Sequence, residues 1–89
     1  MVLDEDVSVW PGAVIRGDVN HVRIGARSNI QDGTILRACT IEDLCLIGMG
    51  ACLLDGATVK KYGFVGAGAG IGPGKTVGER EEKRTARTA

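Results

Sequence analysis

Apolar residues recur every six positions along nearly the whole chain, and this period constrains the fold more than any other feature. The repeated positions, called markers here, hold only Val, Ile or Leu: Leu3, Val9, Ile15, Ile24, Ile30, Leu36, Ile41, Ile47, Leu53, Val59, Val65, Ile71 and Val77. The phase changes at a three-residue insertion, residues 21–23, and at a five-residue step from Leu36 to Ile41. A period of six fits neither the helical period of about 3.6 nor a plain strand period of about 2.

This period predicts a solenoid in which each hexad supplies one flat face and one corner. Three hexads make a triangular coil, the markers of successive coils stack into a core, and parallel ladders join the coils at about 4.8 Å. Small or modest residues lie four positions after the markers, as at Val7, Ala13, Ser28, Thr34, Cys45, Ala51, Ala57, Gly63 and Ala69, and fit the tight interior beside a corner. We therefore expect an all-β fold, a parallel β-helix of about four coils, over residues 1–77. This repeat resembles the hexapeptide solenoids, whose known members wind left-handed against the usual crossover preference, so the resemblance implies a left-handed β-helix.

Composition limits the remaining possibilities. Residues 78–89 contain no large apolar side chain, so we expect a charged tail that is disordered or forms a short helix. The 11 basic and 11 acidic residues balance, which disfavours nucleic-acid binding. No apolar run approaches the roughly 20 residues of a membrane span, and the acidic start of the chain lacks a secretion signal. The sequence thus favours a protein that is neither secreted nor membrane-spanning.

The three cysteines are predicted to be free thiols buried as small apolar side chains. Cys39, Cys45 and Cys52 are separated by six and seven residues, whereas zinc sites built from cysteines use short pairs such as C-x2-C. An odd number of cysteines without a secretion signal favours a reducing compartment.

Two segments carry a resemblance to a known family. Residues 15–20 read Ile-Arg-Gly-Asp-Val-Asn, and residues 24–33 read Ile-Gly-Ala-Arg-Ser-Asn-Ile-Gln-Asp-Gly. Together they resemble the γ-class carbonic anhydrases. The stretch 38–43, followed by 48–51 and 54–56, looks especially similar to the mitochondrial γ-carbonic anhydrase subunits of respiratory complex I. The resemblance covers about residues 3–75 and implies a left-handed β-helix trimer, homomeric or heteromeric, with zinc held by histidines of neighbouring subunits.

The resemblance also implies roles for four residues. Arg16 and Asp18 match the pair that links subunits in the family, and Gln31 and Asp32 match the polar pair that flanks the zinc-bound water. Residues two apart on a strand face the same side, so Arg16 and Asp18 can reach across an interface as a charge-assisted pair. Gln31 and Asp32 can orient a metal-bound hydroxide. The alternative is that all four lie at solvated corners.

The zinc ligands of the family are missing from this sequence. The first family histidine lies six residues after the glutamine, and that position is Arg37 here. The chain then continues into residues like those after the last family histidine, as if about two coils were deleted. A guanidinium has no lone pair for zinc and would repel it. The only histidine, His21, lies in the insertion and is expected to be an exposed loop residue. We expect no zinc and no CO2 hydration, and a structural or assembly role, within a larger respiratory complex if the resemblance extends that far.

Two other classes stay open on the sequence. Residues 69–76 fit a relaxed phosphate-loop pattern ending in Lys75 and Thr76, although the markers keep their phase through it. Hexapeptide solenoids also include acyltransferases that use a histidine base on acyl-CoA, for which His21 is the one candidate. Residual carbonic anhydrase activity is the third alternative. The resemblance implies a mitochondrial location, and otherwise a cytoplasmic one.

Overall fold

The computed structural model describes residues 2–16 and 22–83 of the chain. Every regular element in these two ranges is a parallel β-strand of two or three residues, and neither range contains a helix. Such short strands follow from the repeat, because a four-residue corner takes up the rest of each six-residue unit.

The strands of the described ranges form three sheets, which we call faces A, B and C. Face A consists of β1 (Val2–Leu3), β4 (Arg23–Ile24), β7 (Thr40–Ile41), β10 (Thr58–Val59) and β13 (Thr76–Val77). Face B consists of β2 (Ser8–Val9), β5 (Asn29–Ile30), β8 (Leu46–Ile47), β11 (Phe64–Val65) and β14 (Glu82–Lys83). Face C consists of β3 (Val14–Arg16), β6 (Ile35–Arg37), β9 (Cys52–Leu53) and β12 (Gly70–Ile71).

Each strand pairs with the strand three places later, so the chain returns to the same face once per coil. The register joins marker to marker, as in the pairs Leu3–Ile24, Ile24–Ile41 and Ile41–Val59 on face A. The all-β parallel solenoid of about four coils predicted from the period is confirmed, and β13 and β14 add two faces of a further coil.

The markers from Ile24 onward form the core. Eight of them are fully buried, and Ile71 and Val77 are 3% exposed. Leu3 and Val9 differ, with exposed fractions of 45% and 41%, because the first coil is covered only by the second. Two buried hydroxyls are satisfied by backbone: Ser28 donates to the Glu42 carbonyl oxygen at 2.8 Å, and Thr34 donates to that of Gly48 at 3.0 Å.

The edges of the solenoid differ in the type of residue that adopts a positive φ at the corner. Every corner that lies wholly within the described residues turns through one residue with positive φ, and at the B–C edge that residue is always glycine: Gly12, Gly33, Gly50 and Gly68. At the A–B edge it is never glycine, since Asp6, Arg27, Leu44, Tyr62 and Arg80 occupy the position with φ between 57° and 64°. This conformation costs a side-chain-bearing residue about 1 kcal/mol or more. Backbone bonds between coils offset the cost, as where Leu44 N–H donates to the Ala26 carbonyl oxygen at 2.9 Å.

The charged segment after Val77 differs from its expected form. Residues 78–83 continue the solenoid, because β14 pairs in parallel with β11 and places Lys83 beside Val65. The hexad repeat persists here although the marker position holds a lysine, which is exposed at the end of the stack. The expected boundary at residue 77 therefore falls within the solenoid as the structure has it. Residues 84–89 lie outside the described residues.

Candidate functional site

Arg16 and Arg37 lie side by side on face C. They end β3 and β6, and the parallel pairing of these strands places Arg16 directly opposite Arg37. The markers Ile15 and Leu36 point inward one residue earlier, so the two arginines point outward from neighbouring coils. Sequence reasoning assigned these residues to an interface and to a lost ligand position separately. The structure brings them together.

The five-residue step between Leu36 and Ile41 makes the corner after Arg37 one residue shorter than the others. Ala38 takes the positive φ, at 46°, where the next coils have Gly56 and Gly74. Its N–H donates to the Arg16 carbonyl oxygen at 3.2 Å, and its own carbonyl accepts from Gly56 N–H at 2.9 Å. The short corner thus ties the backbones of the two arginine positions together.

Asp55 lies in the corresponding corner of the next coil. One of its carboxylate oxygens is 3.8 Å from Nε of Arg37, and both side chains are more than half exposed. This separation exceeds hydrogen-bond length, so the pair is a loose ion pair that solvent screens.

Gln31 and Asp32 occupy the B–C edge of the same coil, at the other end of β6 from Arg37. With Trp10 and Met49 they line an open hollow of about 290 Å³. The Trp10 indole donates to the Asn29 side-chain oxygen at 2.9 Å, which holds the ring against the edge. Trp10 and Met49 are 50% and 56% exposed. The structure therefore places Gln31 and Asp32 together, but apart from Arg16 and Arg37.

Face C also presents an aliphatic column that sequence reasoning missed. Val14 and Ile35 are paired in register and are 47% and 39% exposed, and Cys52 continues the column on the third coil. The signal was available in the alternation within each strand, because the residue before an inward marker must point outward. Val14 and Ile35 therefore form an exposed apolar pair on face C.

Asp18 and His21, the remaining residues singled out from the sequence, lie outside the described residues. A phosphate loop needs a strand directly before it and a helix directly after it, and the pattern at 69–76 has neither. It forms β12, a corner and β13, with Lys75 in the corner before a strand and no helix following it.

Comparison with known proteins places the chain among the γ-carbonic anhydrases and their hexapeptide-repeat relatives. It is 40% identical over 90 residues to Gamma carbonic anhydrase 1, mitochondrial, of Arabidopsis thaliana, with 70% of this chain and 33% of the relative covered. It is 38% identical over 84 residues to the carbonic anhydrase of Geobacillus kaustophilus, with 89% of this chain and 46% of the relative covered. The chain is a γ-carbonic anhydrase-like hexapeptide-repeat protein.

The solved structures agree with this assignment. A Bacillus cereus protein described as a candidate acetyltransferase superposes with a TM-score of 0.62 at 32% identity, covering 94% of this chain and 59% of that one. No protein-family model matches the chain. The γ-carbonic anhydrase-like chain spans a third to a half of the length of these curated relatives, and its fold is the left-handed β-helix expected from the repeat.

Within one γ-carbonic anhydrase-like chain, zinc would have to be held by His, Cys, Asp or Glu side chains. Within residues 2–16 and 22–83 no group of three or more His, Cys, Asp or Glu side chains is arranged to hold a metal. Cys39 and Cys45 are buried free thiols. Burial raises the pKa of Cys39 to about 11 and also raises the pKa of Cys45. A cysteine binds zinc as a thiolate, and the raised pKa values of Cys39 and Cys45 disfavour that form.

Neither described range contains a helix long and apolar enough to cross a membrane.

Proposed function

We propose that this γ-carbonic anhydrase-like chain is an assembly module that binds no zinc and does not hydrate CO2. One observation carries the proposal: Arg37, six residues after Gln31 at the position of a family ligand, points outward on face C beside Arg16. A catalytic zinc needs three protein ligands and an open position for water. Two neighbouring guanidinium groups supply no lone pair and repel the metal cation.

The length of the matched relatives supports a missing segment. The match to the Arabidopsis protein spans 90 residues but covers only 70% of these 89, so about 28 positions within it have no counterpart here. The Geobacillus match leaves about five such positions, since it covers 89% of the chain over 84 residues. A six-residue repeat can be matched in more than one register, so these figures support the proposal less directly than Arg37 does.

The assembly part of the proposal rests on face C. Its outward column of Val14, Ile35 and Cys52 is apolar, although on a solvated face these positions are free to be polar. A contiguous exposed apolar patch rimmed by polar residues marks a site of protein–protein interaction. We propose that face C joins three copies, or related subunits, into a trimer in which Arg16 and Asp18 link neighbours. Membership of a larger respiratory complex and a mitochondrial location are part of this proposal, supported by the mitochondrial Arabidopsis relatives.

Acyl transfer is the weaker alternative. The chain's one histidine, His21, lies outside the described residues. The hollow formed by Trp10, Gln31, Asp32 and Met49 is open and offers no histidine base. Acyl-CoA binding that is lost in His21→Ala would favour this alternative over the assembly module.

Zinc content is the decisive measurement for the first part. We expect protein purified from zinc-supplemented medium to contain far less than one zinc per chain by mass spectrometry, and to leave CO2 hydration at the buffer rate. Arg37→His is the matched variant. This variant places a histidine, the ligand type of the family, at that position. We expect the variant protein to remain without zinc because the other ligands are absent. One zinc per chain in the unmodified protein, with CO2 hydration above the buffer rate, would contradict the proposal.

Light scattering tests the assembly. A trimer has a mass of about 28 kDa, three times the 9.3 kDa of one chain. Ile35→Asp places a charge in the aliphatic column and is expected to reduce the mass to that of a monomer. Thr58→Asp places the same charge outward on face A and is expected to leave the trimer intact. A monomeric unmodified protein at micromolar concentration would rule out the trimer.

A further inference from the structure

A hollow of about 410 Å³ on face A, next to the A–B edge, is lined by side chains of both charges. Arg23 begins β4, and the register places it opposite Thr40 of β7, so both side chains point outward. Glu42 and Asp43 follow β7 directly, in the next corner. This face A hollow therefore has a guanidinium on one coil and two adjacent carboxylates on the neighbouring coil.

Backbone N–H groups of the adjoining coils hold both carboxylates in place. One oxygen of Glu42 accepts a 3.0 Å hydrogen bond from Lys61 N–H. One oxygen of Asp43 accepts a 2.9 Å hydrogen bond from Ala26 N–H. Within the described ranges neither carboxylate makes a further hydrogen bond or ion pair. Since a carboxylate accepts at two oxygens, each group keeps one acceptor for a ligand.

Arg23 supplies the opposite charge and is exposed. No acidic side chain in residues 2–16 and 22–83 forms an ion pair with it. A guanidinium stays protonated in proteins, and its N–H donors form a planar fork that matches the two oxygens of a carboxylate. The charge of Arg23 is therefore available to an anionic group of a ligand.

Gly25 keeps the space between the opposite charges open. It lies two residues after Arg23, and its N–H donates to the Ile41 carbonyl oxygen at 2.6 Å. A Cβ atom there would collide with the backbone and the carboxylate of Asp43. Because position 25 carries no side chain, the face A hollow extends from the guanidinium to the carboxylates.

We propose that the face A hollow binds an α-amino acid in its zwitterionic form. The carboxylate of the ligand pairs with the Arg23 guanidinium, and its ammonium group donates to the second oxygens of Glu42 and Asp43. A carboxylate without an ammonium group is repelled by the two acidic side chains, and an ammonium group without a carboxylate is repelled by Arg23. A ligand that carries both charges satisfies both ends of the hollow. This site goes beyond the proposed assembly role, which uses face C.

A nuclear magnetic resonance titration of the isotope-labelled full chain tests the site, with L-alanine as the probe. L-Alaninamide carries only the ammonium group and propionate only the carboxylate, so these two compounds separate the two ends. We expect L-alanine to shift the amide signals around the face A hollow with millimolar affinity, because solvent screens partly exposed charges. Each compound with a single charge is expected to bind about tenfold more weakly or worse, because it loses one charge-assisted contact.

Three variants assign the two ends to residues. Arg23→Gln removes the guanidinium, whereas Glu42→Gln keeps an acceptor oxygen for Lys61 N–H and removes only the charge. Both are expected to weaken L-alanine binding about tenfold. Arg27→Gln is the matched control, because Arg27 is exposed and lies outside the hollow, and it is expected to bind as the unmodified chain does. Far-ultraviolet circular dichroism checks that each variant keeps its β structure.

Three results would overturn the amino-acid site. The first is an L-alanine titration that leaves the signals around the hollow unchanged. The second is an Arg23→Gln variant that binds L-alanine as tightly as the unmodified chain. The third is equal affinity for L-alanine and L-alaninamide, which would mean that the hollow takes ammonium groups alone.

Discussion

The hydroxyl of Thr34 donates a 3.0 Å hydrogen bond to the carbonyl oxygen of Gly48, one coil further along the solenoid. Thr34 is fully buried, so its hydroxyl has no access to water. Buried polar groups remain stable only when they are hydrogen-bonded. Like the bond from Ser28 to the Glu42 carbonyl oxygen, this bond joins two coils through a side chain, in addition to the backbone ladders.

Replacing Thr34 with valine therefore tests one intercoil bond at nearly constant volume. We expect Thr34→Val to reduce the free energy of unfolding by about 1 kcal/mol, because a hydrogen bond is lost inside the core. Thr58→Val is the matched control, since Thr58 points outward on face A. It is expected to change stability by less than about 0.5 kcal/mol. Equal losses in urea denaturation would contradict this role for the Thr34 hydroxyl.

Gly25 lies against the next coil with no room for a side chain. A Cβ atom at this position would collide with the backbone of Glu42 and with the backbone and carboxylate of Asp43. The same Asp43 carboxylate accepts a 2.9 Å hydrogen bond from Ala26 N–H, so it cannot move aside without losing that bond. We expect Gly25→Ala to cost about 2 kcal/mol or more by overpacking. Gly70→Ala is the control, because a Cβ there meets nothing within 4 Å. A neutral Gly25→Ala would show that the coils separate easily at this corner.

Gly68 isolates backbone strain from steric contact. Its φ is +74°, yet an added Cβ would meet nothing within 4 Å. Gly68→Ala is expected to cost about 1 kcal/mol relative to Gly70→Ala, because only the positive φ distinguishes the two sites. Thermal or urea unfolding of the two variants gives this difference directly. If both variants are equally stable, the glycines of the B–C edge are not required by their conformation.

The sequence predicted the strands because the markers fix the register. Ile24, Ile41 and Val59 align on one face without information beyond their spacing, and even the two phase changes were visible. The A–B edge could not be predicted, because Leu44 and Tyr62 carry no local signal for positive φ; intercoil bonds impose it. The strand at 82–83 was missed for a similar reason. Its marker position holds Lys83 instead of an aliphatic residue, so the apolar period does not extend to it. The strand forms through its parallel pairing with Phe64 and Val65.

The candidate site was also predicted only in part from the sequence. The sequence predicted the individual site positions, because a resemblance marks single residues: Gln31, Asp32, Arg16 and Arg37. The contact between Arg16 and the corner after Arg37 depends on pairing across 21 residues and on a corner one residue short. Spacing alone does not show which outward side chains meet.

Inward and outward neighbours on one strand offer a direct test of the solenoid. Ile47 is fully buried, whereas the preceding Leu46 points outward on face B and is half-buried. Ile47→Ala is expected to cost about 3 kcal/mol, because it leaves a cavity in the stacked core. Leu46→Ala is expected to cost about 1 kcal/mol or less. The reverse order in urea denaturation would mean that the strand faces the other way and that the register is wrong.

The buried thiol of Cys39 predicts a loss of stability at high pH. Desolvation raises the pKa of Cys39 from 9.0 to about 11 in the folded protein, whereas the unfolded chain keeps the ordinary value. Between these two pKa values the unfolded chain has released a proton that the folded protein retains. Stability from this group is therefore complete below pH 9 and declines as pH rises toward 11, by at most about 1.4 kcal/mol per pH unit. Cys39→Ala removes this contribution, so its urea midpoint is expected to fall less steeply over the same range. Parallel pH profiles for the two proteins would show that Cys39 ionises equally well in the folded and unfolded states.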